Sequence, residues 1–424
     1  MRQIKYIDLL WDFTLKGSGR GDPGMKDAQA PARLQVFNSE QEMFERRGKR
    51  EPYLVVLPMD WARHAAKMRS KLGEGSSLPP DLLLQGGYLL WQALPPEARQ
   101  PLEQAVSDQP VRLKISSNSP TIDDLPWEWL NDGSRPPFAL LEEVRLSRSV
   151  PIRLAMPPMS IQPPIRVLVV LTNPRDQSLL DPVRELKAIR SRLSRRPYKV
   201  RLLDEPSFSA LAEALQEGPH IVHYIGHAGV DRGQGNLILH SASDVTQWIS
   251  APELSKLLPP TVRLLCLSTC FTAPNYQILG LPRLAHATAN YRLPTVVTNR
   301  YPVQEAGVRL FWRAFYAGLV QQDGNVNEGF HLGQSAVAGD PDTQADWGSY
   351  SLVIRDQTGE ALRLERATEK SPDQYTAQIQ AQFATQLAND LAQQLRAYGD
   401  SAPENLQKLF EEEADAAASL LDDY

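Results

Sequence analysis

Two apolar runs in this chain each end at a residue that can take part in catalysis. The run "HIVHYIG" is followed by His227, and the run "VRLLCLST" is followed by Cys270. A thiol attacks as its thiolate, so a catalytic cysteine needs a base or a positive field beside it. An imidazole suits that role because its pKa lies near the working pH. The two residues therefore predict a nucleophilic cysteine–histidine pair.

The runs that carry this pair have the character of buried strands. Apolar runs of this length, framed by helix-like segments, are typical of central strands in a parallel sheet. Such sheets bind ligands in the crevice beyond the carboxyl ends of their strands. We therefore expect His227 and Cys270 to lie at that edge, just outside their strands, where they can be neighbours.

The other histidines and the second cysteine of these runs have simpler interpretations. Cys266 is expected to be a small buried apolar residue. His220 and His223 are three residues apart, which places them on opposite faces of a strand, and we expect them to be hydrogen-bonded core groups. Because that spacing cannot bring both rings to one point, a zinc site is disfavoured, and we expect no metal or cofactor. Four residues of strand separate the two cysteines by roughly 13 Å, too far for a disulfide.

The elements around these runs predict an α/β fold. From Arg166 onwards, strands alternate with helical segments, which is typical of right-handed crossovers in a wound, mostly parallel sheet flanked by helices. The predicted strands are 166–172, 198–203, 220–226, 236–239, 262–268, 294–299 and 350–354. The predicted helices are 181–193, 208–216 with Ser207 as its cap, 252–258, 276–289 and 303–320.

Composition divides the chain into four regions. Residues 1–150 form an N-terminal α/β region, 151–165 a proline-rich connector, 166–365 the core and 371–424 a tail. Within the first region we predict helices at 60–72, 81–93 and 96–106, a buried strand at 53–57 and a half-exposed strand at 111–115.

The tail has a charge pattern of its own. From Ser371 it carries ten acidic residues against two basic ones, with apolar residues recurring every four positions. This pattern predicts an acidic helical hairpin. It is either a solvated helix pair packed on the body or an element that docks a partner.

Overall composition limits the classes of partner and the cellular compartment that we expect for this protein. A formal net charge of -5 gives no basic footprint, so we expect no direct contact with nucleic acid. The start of the chain lacks a signal peptide, and no apolar run approaches the ~20 residues that span a bilayer. Two cysteines kept as thiols fit a reducing compartment. We therefore expect a soluble cytoplasmic protein that does not contact membranes.

Several motifs resemble those of the CHAT domain family, which has the fold of caspase-like cysteine proteases. They are the strand pair that leads to His227 and Cys270, together with "GGYLLWQALPPEAR" from Gly86, "LPWEWL" from Leu125, "VVTNRYPV" from Val296 and "WGSYSLVI" from Trp347. The resemblance covers about residues 80–360, so it places 80–150 in the same unit as the core.

The resemblance implies roles for the residues around the pair. Cys270 would be the nucleophile and His227 the general base and acid. The backbone N–H groups of Ala228, Gly229 and Cys270 would hold the oxyanion. Family members usually have glycine directly after the histidine, and Ala228 would resist a positive φ there.

The resemblance also suggests a substrate pocket after the catalytic strands. Candidate lining residues are Ser268, Thr269, Asn299 and Arg300. An inward-pointing Arg300 would favour an acidic side chain at the cleaved position, whereas an outward-pointing one would be a plain surface arginine.

The sequence thus favours an endopeptidase that cleaves a selected protein partner. The family context implies a role in bacterial defence or regulated cell death, with activation by another protein that the tail 371–424 could contact. Two alternatives stay open. One is a non-catalytic interaction module that keeps the fold, and the other is a different thiol hydrolase or transferase on a wound sheet.

Overall fold

The structure is a computed structural model that describes most of the chain between residues 6 and 364. It describes residues 6–15, 32–37, 52–73, 78–108, 110–117, 120–149, 159–173, 182–193, 197–231, 234–240, 246–269, 293–355 and 362–364. The chain divides into two units, Met1–Leu364 and Glu365–Tyr424. The second unit, with the predicted tail hairpin, and the predicted helix 276–289 lie outside the described residues.

The described strands follow the chain as sixteen segments. They are β1 Ile7–Leu15, β2 Ala32–Phe37, β3 Tyr53–Val55, β4 Val111–Ser117, β5 Val144–Ser149, β6 Met159–Ile161, β7 Ile165–Leu171, β8 Tyr198–Asp204, β9 Ile221–Gly226, β10 Ala228–Asp231, β11 Gln234–His240, β12 Thr246–Ser250, β13 Leu264–Thr269, β14 Thr295–Asn299, β15 Tyr350–Ile354 and β16 Leu362–Leu364.

Nine α-helices are described. They are α1 Met59–Gly73, α2 Pro80–Ala93, α3 Pro96–Asp108, α4 Pro120–Asp123, α5 Pro182–Leu193, α6 Phe208–Gln216, α7 Ala251–Leu257, α8 Glu305–Gln321 and α9 Val326–Ala338. Short 3₁₀ turns lie at Trp127–Trp129, Phe138–Leu140 and Gln344–Ser349.

Eleven of the strands form one sheet in the order β3-β2-β1-β4-β5-β15-β14-β13-β9-β7-β8. The run from β14 to β8 is parallel throughout, as are the pairings from β1 through β4 and β5 to β15. The wound, mostly parallel sheet expected from the sequence is therefore confirmed. Strand β15 pairs with β14 in the antiparallel sense, so the strands on either side of this pairing run in opposite directions.

Layers on both faces bury the central strands. One face packs against α6, α7 and the antiparallel sheet β10-β11-β12, which share a core cluster with β9 and β13. On the other face, α5 and α8 contact β9 through Glu185 and Tyr316, which meet the His223 side chain. Apolar residues on both faces of these strands explain why the sequence shows continuous runs rather than alternation.

Two strand predictions for the N-terminal region were wrong in detail. The segment 53–57, expected to be buried, holds the three-residue edge strand β3, in which Leu54 is 62% exposed. Among the described strands it pairs with β2 alone, at the end of the sheet. Strand 111–115, expected to be half-exposed, is almost wholly buried and continues to Ser117, because β4 lies between β1 and β5.

Candidate active site

His227 lies in the turn between the sheet strand β9 and the short strand β10. The residue is only 2% exposed, and its carbonyl accepts a hydrogen bond from the N–H of Ile238 at 3.1 Å. That bond joins the turn to β11, next to the β10–β11 pairing that begins at Ala228 and Leu237. The histidine therefore sits at the carboxyl end of a central strand, as expected.

Strand register brings the two residues that precede the predicted pair, Gly226 and Thr269, side by side. Strands β9 and β13 are adjacent and parallel, and the last pair of their ladder joins Gly226 to Thr269. The next residue after Gly226 is His227, and the next after Thr269 is Cys270. Cys270 itself lies outside the described residues.

The backbone of the histidine turn is fixed by two buried hydroxyl groups. Tyr224 donates from Oη to the His227 carbonyl at 2.6 Å and lies 2.5 Å from the Ile238 carbonyl. The Oγ1 of Thr172, at the end of β7, lies 2.9 Å from Tyr224 Oη and donates to the Ile238 carbonyl at 2.9 Å. These contacts connect β7, β9 and β11 around the histidine. Sequence reasoning did not find them, because they depend on strand neighbours.

Gly226 leaves the space that these hydroxyls occupy. A Cβ at this position would lie 2.2 Å from Thr172 Oγ1 and 2.6 Å from Tyr224 Oη. Atoms cannot approach so closely, so any side chain here must displace the hydroxyl pair. The glycine before the histidine is therefore required by packing.

The two predicted oxyanion-hole residues after the histidine lie in β10. Ala228 pairs with Leu237 of β11, and Gly229 pairs with Asn236. Within the described part of the chain, positive φ among non-glycine residues occurs at Glu205 and Asp323. Ala228 therefore does not need glycine's conformational freedom, and the concern raised by its methyl group is removed.

Three of the four predicted pocket residues lie together at the ends of β13 and β14. Asn299 Nδ2 donates to the Thr269 carbonyl at 3.0 Å, and its Oδ1 accepts from the Thr269 N–H at 3.4 Å. Ser268, Thr269 and Asn299 are all at most 4% exposed. These contacts brace the end of the strand that leads to Cys270.

Arg300 has an environment that favours a structural role. Its guanidinium is 2% exposed and donates from Nη2 to the Asp123 carbonyl at 2.6 Å. Beside it, Arg148 makes a bidentate pair with Glu128 at 2.8 and 2.6 Å. Burial raises the pKa of Asp123 to about 7, although Arg148 and then Arg300 oppose this shift. The guanidinium of Arg300 thus anchors the segment that contains the "LPWEWL" motif.

A second polar group lies beneath the site, on the opposite face of the sheet. His223 contacts Glu185 through Nε2 at 3.2 Å and Tyr316 Oη through Nδ1 at 2.8 Å. Tyr316 in turn donates to Cys266 Sγ at 3.6 Å. Burial raises the pKa of the Cys266 thiol, so this cysteine is an unreactive core residue, as expected. His220 accepts from the Arg166 N–H at 3.0 Å, so both histidines are hydrogen-bonded.

In the described part of the chain, no group of three or more His, Cys, Asp or Glu residues is arranged to hold a metal ion. The helices given above are also too short or too polar for any of them to cross a membrane.

The described chain is thus a wound α/β sheet with His227 at the carboxyl end of a central strand, the edge where such sheets bind ligands. The family model of the CHAT domain matches residues 87–356. The match covers more than half of the chain, so this protein belongs to the CHAT domain family and has the caspase-like fold that its motifs indicated. A search of curated proteins found no match.

Solved structures similar to this chain include two proteins of low sequence identity. One is the Arg-specific cysteine proteinase gingipain R, with 11% identity, a TM-score of 0.42, and coverage of 62% of this chain and 68% of that chain. Another is the Saccharomyces cerevisiae separase–securin complex, with 13% identity, a TM-score of 0.38, and coverage of 81% and 21%. The match spans about a fifth of the chain in the separase–securin complex.

Proposed function

We propose that this protein is a cysteine endopeptidase in which Cys270 is the nucleophile and His227 the general base and acid. The observation that carries the proposal is the β9–β13 ladder, whose last pair, Gly226 and Thr269, directly precedes the two residues. Membership of the CHAT domain family supports it. The buried, hydrogen-bonded turn at His227 gives the base the fixed position that proton transfer requires.

The proposed reaction follows from these positions. His227 removes the proton from the Cys270 thiol, and the thiolate forms a C–S bond to the substrate carbonyl. Backbone N–H groups of Ala228, Gly229 and Cys270 stabilise the oxyanion. The imidazolium then protonates the leaving amine as the C–N bond breaks. Water, deprotonated by the same imidazole, hydrolyses the thioester and restores the thiol.

The partner and the setting of the reaction are further parts of the proposal. We propose a folded protein partner as substrate, in a bacterial defence or cell-death pathway of the cytoplasm. Activation would come from another protein, and the acidic tail 371–424 offers a contact for it through its ten acidic residues.

The first test measures the state of the thiol and needs neither activator nor substrate. The full chain is alkylated with iodoacetamide across a range of pH, and each cysteine is quantified by mass spectrometry. We expect Cys270 to react with a midpoint well below the pKa of about 8.5 of an ordinary thiol. His227→Ala should move that midpoint back toward the ordinary value. An unchanged midpoint in this variant contradicts the cysteine–histidine pair.

The second test measures peptide cleavage. A mixed peptide library is incubated with the wild type, with Cys270→Ala and with Cys266→Ala, in the presence and absence of a lysate of the source cells. Cleavage should disappear in Cys270→Ala and persist in Cys266→Ala, the matched control four residues earlier in the sequence. Equal cleavage by wild type and Cys270→Ala contradicts the endopeptidase assignment. Acylation of Cys270 without cleavage favours another thiol hydrolase or transferase.

A further inference from the structure

Two hydroxyl side chains lie buried beside the turn that carries His227. Tyr224 and Thr172 are 2% and 1% exposed, and their oxygens are 2.9 Å apart. They come from neighbouring strands, since Val170 of β7 pairs with Tyr224 of β9. Burying two hydroxyls in an otherwise apolar layer is unfavourable unless they are hydrogen-bonded. Their hydrogen-bond partners therefore indicate their role.

Their partners are main-chain carbonyls at the two ends of the β10–β11 hairpin. Tyr224 Oη lies 2.6 Å from the His227 carbonyl and 2.5 Å from the Ile238 carbonyl. Thr172 Oγ1 donates to the Ile238 carbonyl at 2.9 Å, and the Ile238 N–H closes the group by donating to the His227 carbonyl at 3.1 Å. The pair thus ties the beginning and the end of the hairpin to the sheet.

Tyr224 keeps its proton under all ordinary conditions, because burial raises its pKa. It therefore remains a donor to the turn at any pH where the enzyme works. Gly226 completes the arrangement, since any Cβ there would meet Thr172 Oγ1 at 2.2 Å.

We propose that Tyr224 and Thr172 are positioning residues, a hydroxyl clamp that sets the backbone of His227 and of the oxyanion strand β10 relative to the cysteine strand β13. The clamp acts on the carbonyl of the base itself, one bond from the N–H of Ala228. A shift there moves both the imidazole and the oxyanion donors. The proposal rests on the proposed function, because it assigns a purpose to the geometry of that same site.

The test compares two tyrosine-to-phenylalanine changes on opposite faces of the sheet. Tyr224→Phe removes the clamp hydroxyl, whereas Tyr316→Phe removes a buried hydroxyl from the opposite face of the sheet, where it contacts His223 and Cys266. Both lose a buried hydrogen bond, so a purely structural effect should be similar in the two. Thr172→Val and Thr172→Ser form a second pair, in which serine keeps the hydroxyl.

Two readouts are measured on each full-length variant. The first is hydrogen exchange in peptides that cover 226–240, which should increase in Tyr224→Phe and Thr172→Val but not in Tyr316→Phe or Thr172→Ser. The second is the pH midpoint of Cys270 alkylation by iodoacetamide. We expect it to rise in the two clamp variants, with the alkylation rate at neutral pH reduced about tenfold to a hundredfold.

The outcomes separate this inference from the proposed function. Unchanged exchange in both clamp variants overturns the clamp, and so does increased exchange with an unchanged alkylation midpoint. If wild type and His227→Ala share one midpoint, the cysteine–histidine pair fails, while the exchange experiment still decides whether the hydroxyls hold the turn. If Tyr224→Phe does not fold, the two Thr172 variants give the same decision.

Discussion

At the scale of single residues, the site depends on what surrounds His227 as much as on the histidine. Its carbonyl contacts Tyr224 and Ile238, and its neighbour Gly226 lies against Thr172. A backbone held at this many points fixes the position from which the His227 side chain extends. Under the proposed function, this fixed starting point favours proton transfer to and from one particular thiol.

Replacing Gly226 by alanine should damage both stability and chemistry. The new Cβ would lie 2.2 Å from Thr172 Oγ1, so the strands must separate. We expect the free energy of unfolding, measured in urea, to be about 1–3 kcal/mol lower than in wild type. Alkylation of Cys270 should also be slower.

Gly339→Ala is the matched control for that change. Gly339 ends helix α9 on the surface with an ordinary φ of -81°, and a Cβ there would come no closer than 3.3 Å to a carbonyl. This variant should stay within about 0.5 kcal/mol of wild type. If Gly226→Ala lowers the free energy of unfolding no more than Gly339→Ala does, the close packing at the turn does not constrain the site.

The two residues of the proposed pair could be singled out from the sequence, but the contacts around them could not. His227 and Cys270 stand out because each follows the end of an apolar run. Tyr224 and Thr172 look like ordinary strand residues, and their contacts with the histidine turn appear only once β7 is known to pair with β9. For the same reason, the bond from the Arg300 guanidinium to the Asp123 carbonyl could not be predicted, and the pocket role of Arg300 stays a prediction.

At the scale of elements, a buried ion pair joins the segment with the "LPWEWL" motif to strand β5 of the sheet. Glu128, in the turn Trp127–Trp129, and Arg148 of β5 are 1% and 2% exposed and meet in a bidentate contact. Arg148 also donates to the Asp123 and Leu125 carbonyls, so one side chain holds the whole motif segment. The "LPWEWL" motif is therefore the anchor of a layer over the sheet.

Glu128→Gln should be strongly destabilising. It leaves the Arg148 guanidinium buried without its carboxylate, which typically costs about 3–5 kcal/mol. Asp60→Asn, which breaks the exposed pair between Asp60 and Arg63, should change stability by less than about 1 kcal/mol. Urea unfolding of both variants measures the difference. Similar small losses in both would show that the buried pair does not hold the layer.

Helix prediction succeeded where apolar spacing was regular and failed where glycine was used for packing. The bounds of α1, α2 and α3 differ by no more than two residues from the predicted ones. Helix α9 was not predicted, because Gly329 and Gly333 lower its apparent helix propensity. In the structure these glycines face α8, and a Cβ on Gly329 would lie 2.8 Å from the Phe315 carbonyl. Close contact between two helices explains a composition that looks unfavourable for either one.

At the scale of the whole molecule, one sheet runs through the N-terminal region and the core. Strand β5 pairs with β15, which connects the two regions of sequence on either side of the proline-rich connector. The sequence predicted strands in both regions, but strand order depends on contacts between distant segments. Strands β1 and β2 were missed altogether, which is why β4 was expected to be half-exposed.

The stability of the whole molecule should fall in mild acid because of two buried histidines. Burial lowers the pKa of His220 to about 3 and that of His331 to about 4. Below the ordinary histidine pKa of about 6.5, the unfolded chain takes up protons that the folded chain refuses, so stability decreases as pH falls. Each histidine contributes up to about 1.4 kcal/mol per pH unit between these values.

Asp123 acts with the opposite sign, since the folded chain holds a proton on it up to a pKa of about 7, whereas the unfolded chain releases that proton near its ordinary value. The contribution of Asp123 to the free energy of unfolding therefore increases as pH falls from about 7 to about 4. The free energy of unfolding, measured in urea at pH 7 and at pH 5, should therefore decrease less in His331→Gln than in wild type. In Asp123→Asn it should decrease more than in wild type. The reverse order would mean that these groups are solvated in the folded chain.

The two thiols are only four residues apart in the sequence, and this has a practical consequence. Cys266 is fully enclosed, at 0% exposed, so a small alkylating reagent can modify it only when the sheet opens. The rate of its modification therefore reports the opening equilibrium of the central strands in the absence of denaturant. Cys266 and Cys270 lie in the same tryptic peptide. Each alkylation experiment therefore measures two quantities together: the reactivity of Cys270 and, through Cys266, the conformational stability of the sheet.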